Sequence, residues 1–160
     1  MARPYTGNKD GVSKTGKRPG TQRFAELCNH RFGATNLGTF INRAMRSDPT
    51  QLSVHATGRA IDVQFKQADK QAFLDAMITN ADAFELEEFH DYAYKDPKQD
   101  KAWGRGWRCN RNGKAGWKVW SEKDNGGTPG AAWFHLEFSP AAADNPDLIV
   151  AAWHKAFPKD

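Results

Sequence analysis

The chain has 160 residues, 39% apolar and 26% charged, and its 23 Lys and Arg against 19 Asp and Glu leave a formal charge of +4. A folded chain of this size removes roughly 70% of its unfolded surface from water, which supports one domain with a core of its own and excludes wholesale disorder. No apolar run approaches the ~20 residues that span a bilayer, and the start, from Met1 to Gly7, lacks the apolar stretch of a signal peptide, so the expected origin is the cytoplasm.

The opening stretch is rich in Gly, Lys, Pro and Thr and reads as a basic N-terminal arm over 1–20, ahead of a single domain over 21–160. Thr21 as N-cap, apolar residues at Phe24, Leu27, Cys28 and Phe32, and Gly33 as the stop predict a first helix. Leu37 to Met45 fits either a helix or a strand, and Ser47-Asp48-Pro49 ends it. Ala60, Ile61, Val63 and Phe65 read as a strand, followed by a helix capped by Asp69 that buries Phe73, Leu74, Met77 and Ile78. Leu86 to Tyr94 alternates as a strand with Leu86, Glu88, His90 and Tyr92 on one face and Glu87, Phe89 and Asp91 on the other. Residues 95–116 read as a long loop. Strands at 117–120 and 133–138 follow, separated by a turn over Asn125 to Gly130. Asn145 as N-cap and Pro146 open a last helix that runs to Phe157. Strands and helices without βαβ alternation predict an α+β fold, a small antiparallel sheet with flanking helices.

Two cysteines, Cys28 and Cys109, form no CxxC spacing and read as free thiols, with a single bridge between them as the alternative. Charge is unevenly spread: residues 1–23 carry +5, residues 95–118 carry +6, and the remainder sums to −7. Two basic segments around an acidic body suit an anionic polymer, either nucleic acid or an anionic cell wall. The spacings of RRM, helix-turn-helix and zinc-finger motifs are absent, which sets nucleic acid aside.

The chemistry concentrates in Ser53-Val54-His55-Ala56-Thr57-Gly58-Arg59-Ala60-Ile61-Asp62 and in Trp133-Phe134-His135-Leu136-Glu137. Two imidazoles and one carboxylate are the donor set of a catalytic zinc, which keeps a fourth position open for water. Gly58 would let the chain double back between His55 and Asp62.

The first string resembles the Ser-x-His-x-x-Gly-x-Ala-x-Asp motif of the zinc D-alanyl-D-alanine carboxypeptidase and dipeptidase family, whose phage members are L-alanyl-D-glutamate endolysins. That resemblance implies a Zn2+ held by His55, Asp62 and His135, a peptidoglycan stem peptide as substrate, and a monomer that stays in the host cytoplasm until lysis and then meets the cell wall. It also implies a substrate-binding arginine, Arg43 or else Arg46, and a substrate-contacting serine, Ser53. Trp103 and Trp107 are candidates for an outer substrate wall. The family places an acidic general base three residues before the last ligand, where this chain has Ala132. Either the chain is inactive or traps substrate, or another group takes over, with Glu137, His90 and Asp91 in range. A non-catalytic wall-binding or virion module that keeps the metal site is the second reading.

Overall fold

The computed structural model of the chain describes residues 2–125 and 129–159. Its helices are α1 (Pro19–Phe32), α2 (Gln67–Thr79), α3 (Pro140–Asp144) and α4 (Pro146–Ala156). The strands are β1 (Thr35–Gly38), β2 (Ala60–Gln64), β3 (Leu86–Asp91), β4 (Arg105–Arg108), β5 (Gly116–Val119) and β6 (Phe134–Phe138). They form one antiparallel sheet in the order β1-β2-β6-β3-β4-β5. The α+β class and the antiparallel sheet expected from the sequence are therefore present.

Register sorts the residues into two faces, because side chains directly opposite one another across antiparallel strands point the same way. Ile61, Leu136, Phe89, Trp107 and Trp117 form one continuous row across five strands. This row belongs to the core, with Phe24 of α1, Phe73 of α2 and Trp153 of α4. The ring of Phe24 meets Phe138 at 4.9 Å and Phe73 meets Phe65 at 4.0 Å. The adjacent row is Asp62, His135, His90, Gly106 and Lys118, on the face away from the helices. Strict alternation on β6 puts Phe134, Leu136 and Phe138 into the core and leaves His135 and Glu137 on the other side.

Several expectations are corrected. α1 starts before Thr21: Arg18 is its N-cap, Pro19 its first residue, and the buried Thr21 hydroxyl donates to the Gly58 carbonyl at 2.9 Å. Asp69 lies in the first turn of α2, whose N-cap is Lys66, so its carboxylate acts on the positive end of the helix rather than as a cap. Leu37 to Met45 is mostly irregular beyond β1, touching the sheet pattern again only at a bridge between Ala44 and Leu52. In β3, Leu86 pairs with Phe138 but Glu88 pairs with Glu137, which leaves Glu87 as the extra residue of a bulge. The bulge turns Leu86 to the core while Glu88 and His90 stay on the open face. The segment 95–116 is not all loop, since it contains β4. The turn expected over Asn125 to Gly130 lies partly outside the described residues.

The last helix conforms: the Asn145 side chain accepts from the amides of Asp147 and Leu148, both at 3.1 Å. Cys28 and Cys109 are separate buried thiols. Residues 2–18 are irregular but lie against the domain, with the Ser13 amide on the Ala56 carbonyl at 2.8 Å and the Asn8 side chain on the Leu52 carbonyl at 2.8 Å. The boundary at 20 falls inside α1. Among the described residues no helix is long and apolar enough to cross a membrane.

Candidate metal centre

His55 sits in a short 3-10 turn, Val54–Thr57, that ends at Gly58 in the left-handed region, φ 74°. A Cβ at Gly58 would also come within 2.7 Å of the Gly16 carbonyl oxygen, so both the conformation and the space demand glycine. The reversal returns the chain into β2 with Asp62 on the open face, where it is paired directly with His135 of β6. One donor atom from each of His55, Asp62 and His135 lies within 4.8 Å of the other two. Asp62 bridges the imidazoles: Oδ1 is 2.8 Å from His135 Nδ1 and Oδ2 is 3.3 Å from His55 Nε2. Two ligands at tetrahedral zinc distances stand about 3.3 Å apart, so these spacings suit a shared ion.

The remaining nitrogens have different surroundings. His135 Nε2 faces Glu137 Oε1 at 3.0 Å, an arrangement that fixes the proton on Nε2 and leaves Nδ1 for a metal. Buried His55 Nδ1 has no hydrogen-bond partner among the described residues.

Electrostatics follow from this packing. Burial pulls the His135 imidazole down, but hydrogen bonds to Asp62 and Glu137 and the charges of both outweigh it, and its pKa is pushed up to about 10. Burial works to raise Asp62, yet His135 and His55 hold it well below the ordinary carboxylate range. Burial lowers His55, with Asp62 only partly opposing, so it is neutral at pH 7. Without metal the trio is thus an imidazolium, a carboxylate and a neutral imidazole.

No protein-family model, curated protein or solved structure matches the chain.

A cleft of about 530 Å³ opens over the trio. Arg43, Arg46 and Ser53 line it, so three of the five sequence candidates for substrate contact are brought to the site. The Ser53 amide holds the Arg43 carbonyl at 3.1 Å, and Arg43 and Arg46 form no ion pair among the described residues. Tyr92, Trp120 and Trp133 also line the cleft. Trp107 does not, because it belongs to the core row facing the helices, and Trp103 packs on the Tyr92–Trp120 cluster instead. Ala132 is exposed at the bend before β6, where its methyl group carries no proton. Asp91 faces the other way and pairs with Arg105 at 3.2 Å, which removes it as a base. His90 does reach the site: its ring stacks on His135 at 4.7 Å and Nε2 meets Glu88 Oε2 at 3.1 Å. Burial works against the Glu88 charge, but His90 and Arg108 hold its pKa at about 2. The exposed His30 and His154 lie on α1 and α4, away from this cluster.

Sequence reasoning missed three features. Arg59, inside the motif string, is fully buried and joins the Gly7 carbonyl, Asp10, Glu87 and the Phe138 carbonyl. Its signal was a lone charge in a run of small residues, matched by Asp10, the single acid among residues 1–23. Gly104 and Gly106 present a bare strand face on which the Trp120 indole lies; a Cβ at Gly106 would fall 2.7 Å from it. Tyr5 places its hydroxyl 3.3 Å from Glu137 Oε2. The basic segments are also partly neutralised in space, by Arg18 with Asp10 and Asp144, Arg105 with Asp91, Arg108 with Glu88 and Lys118 with Asp124.

Proposed function

We propose that this domain is a zinc-dependent peptidoglycan peptidase of the phage endolysin kind, hydrolysing an amide bond of the stem peptide. The observation that carries the reading is the His55–Asp62–His135 trio in an open cleft, with Glu137 setting the His135 tautomer. His55, Asp62 and His135 would hold the ion. A bound zinc supplies Lewis acidity toward a carbonyl oxygen and brings the pKa of water to about 7. Arg43 and Arg46, without an ion pair among the described residues, face the cleft as receptors for a peptide carboxylate, and Ser53 beside them offers a hydrogen bond. Glu137 is committed to His135 and Tyr5. The cleft offers His90 by position for the task of the missing acid at Ala132, one strand from His135 and held by Glu88.

The test is metal analysis of the purified chain together with digestion of purified peptidoglycan, followed by new amino groups. About one zinc per chain and a metal-dependent release of amino groups are expected; a chain that takes up no metal sinks the reading. The exposed methyl of Ala132 favours one alternative, a wall-binding or virion module that keeps the metal site. That alternative predicts retention on wall fragments without turnover, even after Ala132→Asp.

A further inference from the structure

The residues around the trio close into a ring of contacts that no single stretch of sequence contains. His135 Nε2 meets Glu137 Oε1, and the other oxygen of Glu137 is 3.3 Å from the Tyr5 hydroxyl. The Tyr5 ring lies under the Arg108 guanidinium at 4.3 Å. Arg108 Nε donates to Glu88 Oε1 at 2.5 Å, Glu88 holds His90, and His90 stacks on His135. Five members come from β6, β3 and β4, and Tyr5 alone comes from the N-terminal segment.

Tyr5 is itself fixed on its C-terminal side. The amides of Thr6 and Gly7 donate to the bulged Glu87 at 3.0 and 3.3 Å, and the Gly7 carbonyl accepts from buried Arg59. The phenol stays protonated, because burial and then the charges of Glu137 and Glu88 push its pKa well up. It therefore donates to a carboxylate whose other oxygen orients a metal-ligand ring, an arrangement known to tune ligand basicity and geometry.

We propose that Tyr5 is a positioning residue of the metal centre, holding Glu137 and through it the His135 ring, so that the N-terminal segment is a working part of the site. The proposal rests on the reading of the trio as a metal site. It goes beyond that reading by extending the centre to a segment whose composition suggests a free basic arm.

The experiment is Co2+ titration of the full chain, followed by the visible absorption of the bound ion, for the unsubstituted protein, Tyr5→Phe, Glu137→Ala and the double variant. Tyr5→Phe removes only the hydroxyl and keeps the ring under Arg108. We expect it to weaken Co2+ binding by about tenfold and to alter the absorption bands at saturation. In the Glu137→Ala background the same substitution should cost nothing further, since the hydroxyl acts only through that carboxylate. Unchanged affinity in Tyr5→Phe, or an equal loss in both backgrounds, overturns the proposal. An unsubstituted chain that binds no Co2+ overturns the metal reading as well, so the two failures are told apart.

Discussion

Asp62 and His135 are direct cross-strand partners, and the carboxylate Oδ1 stands 2.8 Å from the imidazole Nδ1 that a metal would use. In the metal-free protein that nitrogen carries a proton at pH 7, because the pKa of His135 is pushed up to about 10. Metal uptake must displace it. About one proton should be released per ion at pH 7, and apparent affinity should rise about tenfold per pH unit until the pH nears that pKa. Calorimetry in buffers of different ionisation enthalpy measures the release, and a value of zero contradicts the assignment. The same raised pKa stabilises the metal-free fold fully below the unfolded histidine value of about 6.5, and this contribution is lost as pH climbs through the folded pKa.

Replacing His55 or Asp62 tests the trio one member at a time. His55→Ala and Asp62→Asn should each reduce zinc content at equilibrium to a small fraction of the unsubstituted value, while His154→Ala, on the exposed face of α4, should leave it unchanged. Elemental analysis after dialysis decides, and equal zinc in all three variants would remove the centre from consideration.

The missing acid makes a three-way comparison informative. On the proposed peptidase reading, Ala132→Asp should raise peptidoglycan cleavage by about 100-fold if a base at 132 is the productive one, the low end of what general acid–base catalysis contributes. If Ala132→Asp leaves the rate unchanged and His90→Gln abolishes it, the proton carrier is His90. If neither matters and Glu137→Gln abolishes turnover with zinc retained, Glu137 performs that role despite its bonds to His135 and Tyr5.

Buried Arg59 ties the N-terminal segment to the sheet through Asp10, Glu87 and two carbonyls. Arg59→Met leaves buried Glu87 with only the Thr6 and Gly7 amides facing its charge, and should cost about 3 kcal/mol in denaturant unfolding. The segment should then be cut by trypsin at Lys9 and Lys14 under conditions that spare the unsubstituted chain. A loss below about 1 kcal/mol would show that the network contributes little.

Gly106 gives a test of the aromatic side of the cleft. In Gly106→Ala the new Cβ would meet the Trp120 indole at 2.7 Å, so the indole has to shift toward His90 or out of the cleft. Turnover should fall while zinc affinity changes little, and the tryptophan fluorescence spectrum should move. Unchanged turnover together with shifted fluorescence would show that Trp120 does not contribute to the working surface.

The grouping of His55, Asp62 and His135 was legible because two of its members share one short string, whose resemblance to a known motif singled it out, with a glycine that allows a reversal between them, and the third sits on a strand with clean alternation. The core side of β6 was legible for the same reason: Phe134, Leu136 and Phe138 alternate without interruption. What stayed hidden was set by contacts distant in sequence. The bulge at Glu87 presents a carboxylate that Thr6, Gly7 and Arg59 bind, none of them its neighbours in the chain. β4 was concealed because Gly104-Arg105-Gly106 has the composition of a turn, whereas its bare face is the seat of Trp120. Trp107 looked like a companion of Trp103, and only the register with Phe89 reveals that it belongs to the core.

Tyr5 and Glu137 lie 132 positions apart. During synthesis the first segment leaves the ribosome long before β6 exists, so its docking points at Leu52, Ala56 and Glu87 are made before the Glu137 partner of Tyr5. A contact of such long range closes a large loop and forms slowly. The His55–Asp62–His135 grouping is therefore completed only once β6 has been made, and a product truncated before residue 135 lacks both His135 and the carboxylate that the Tyr5 hydroxyl meets.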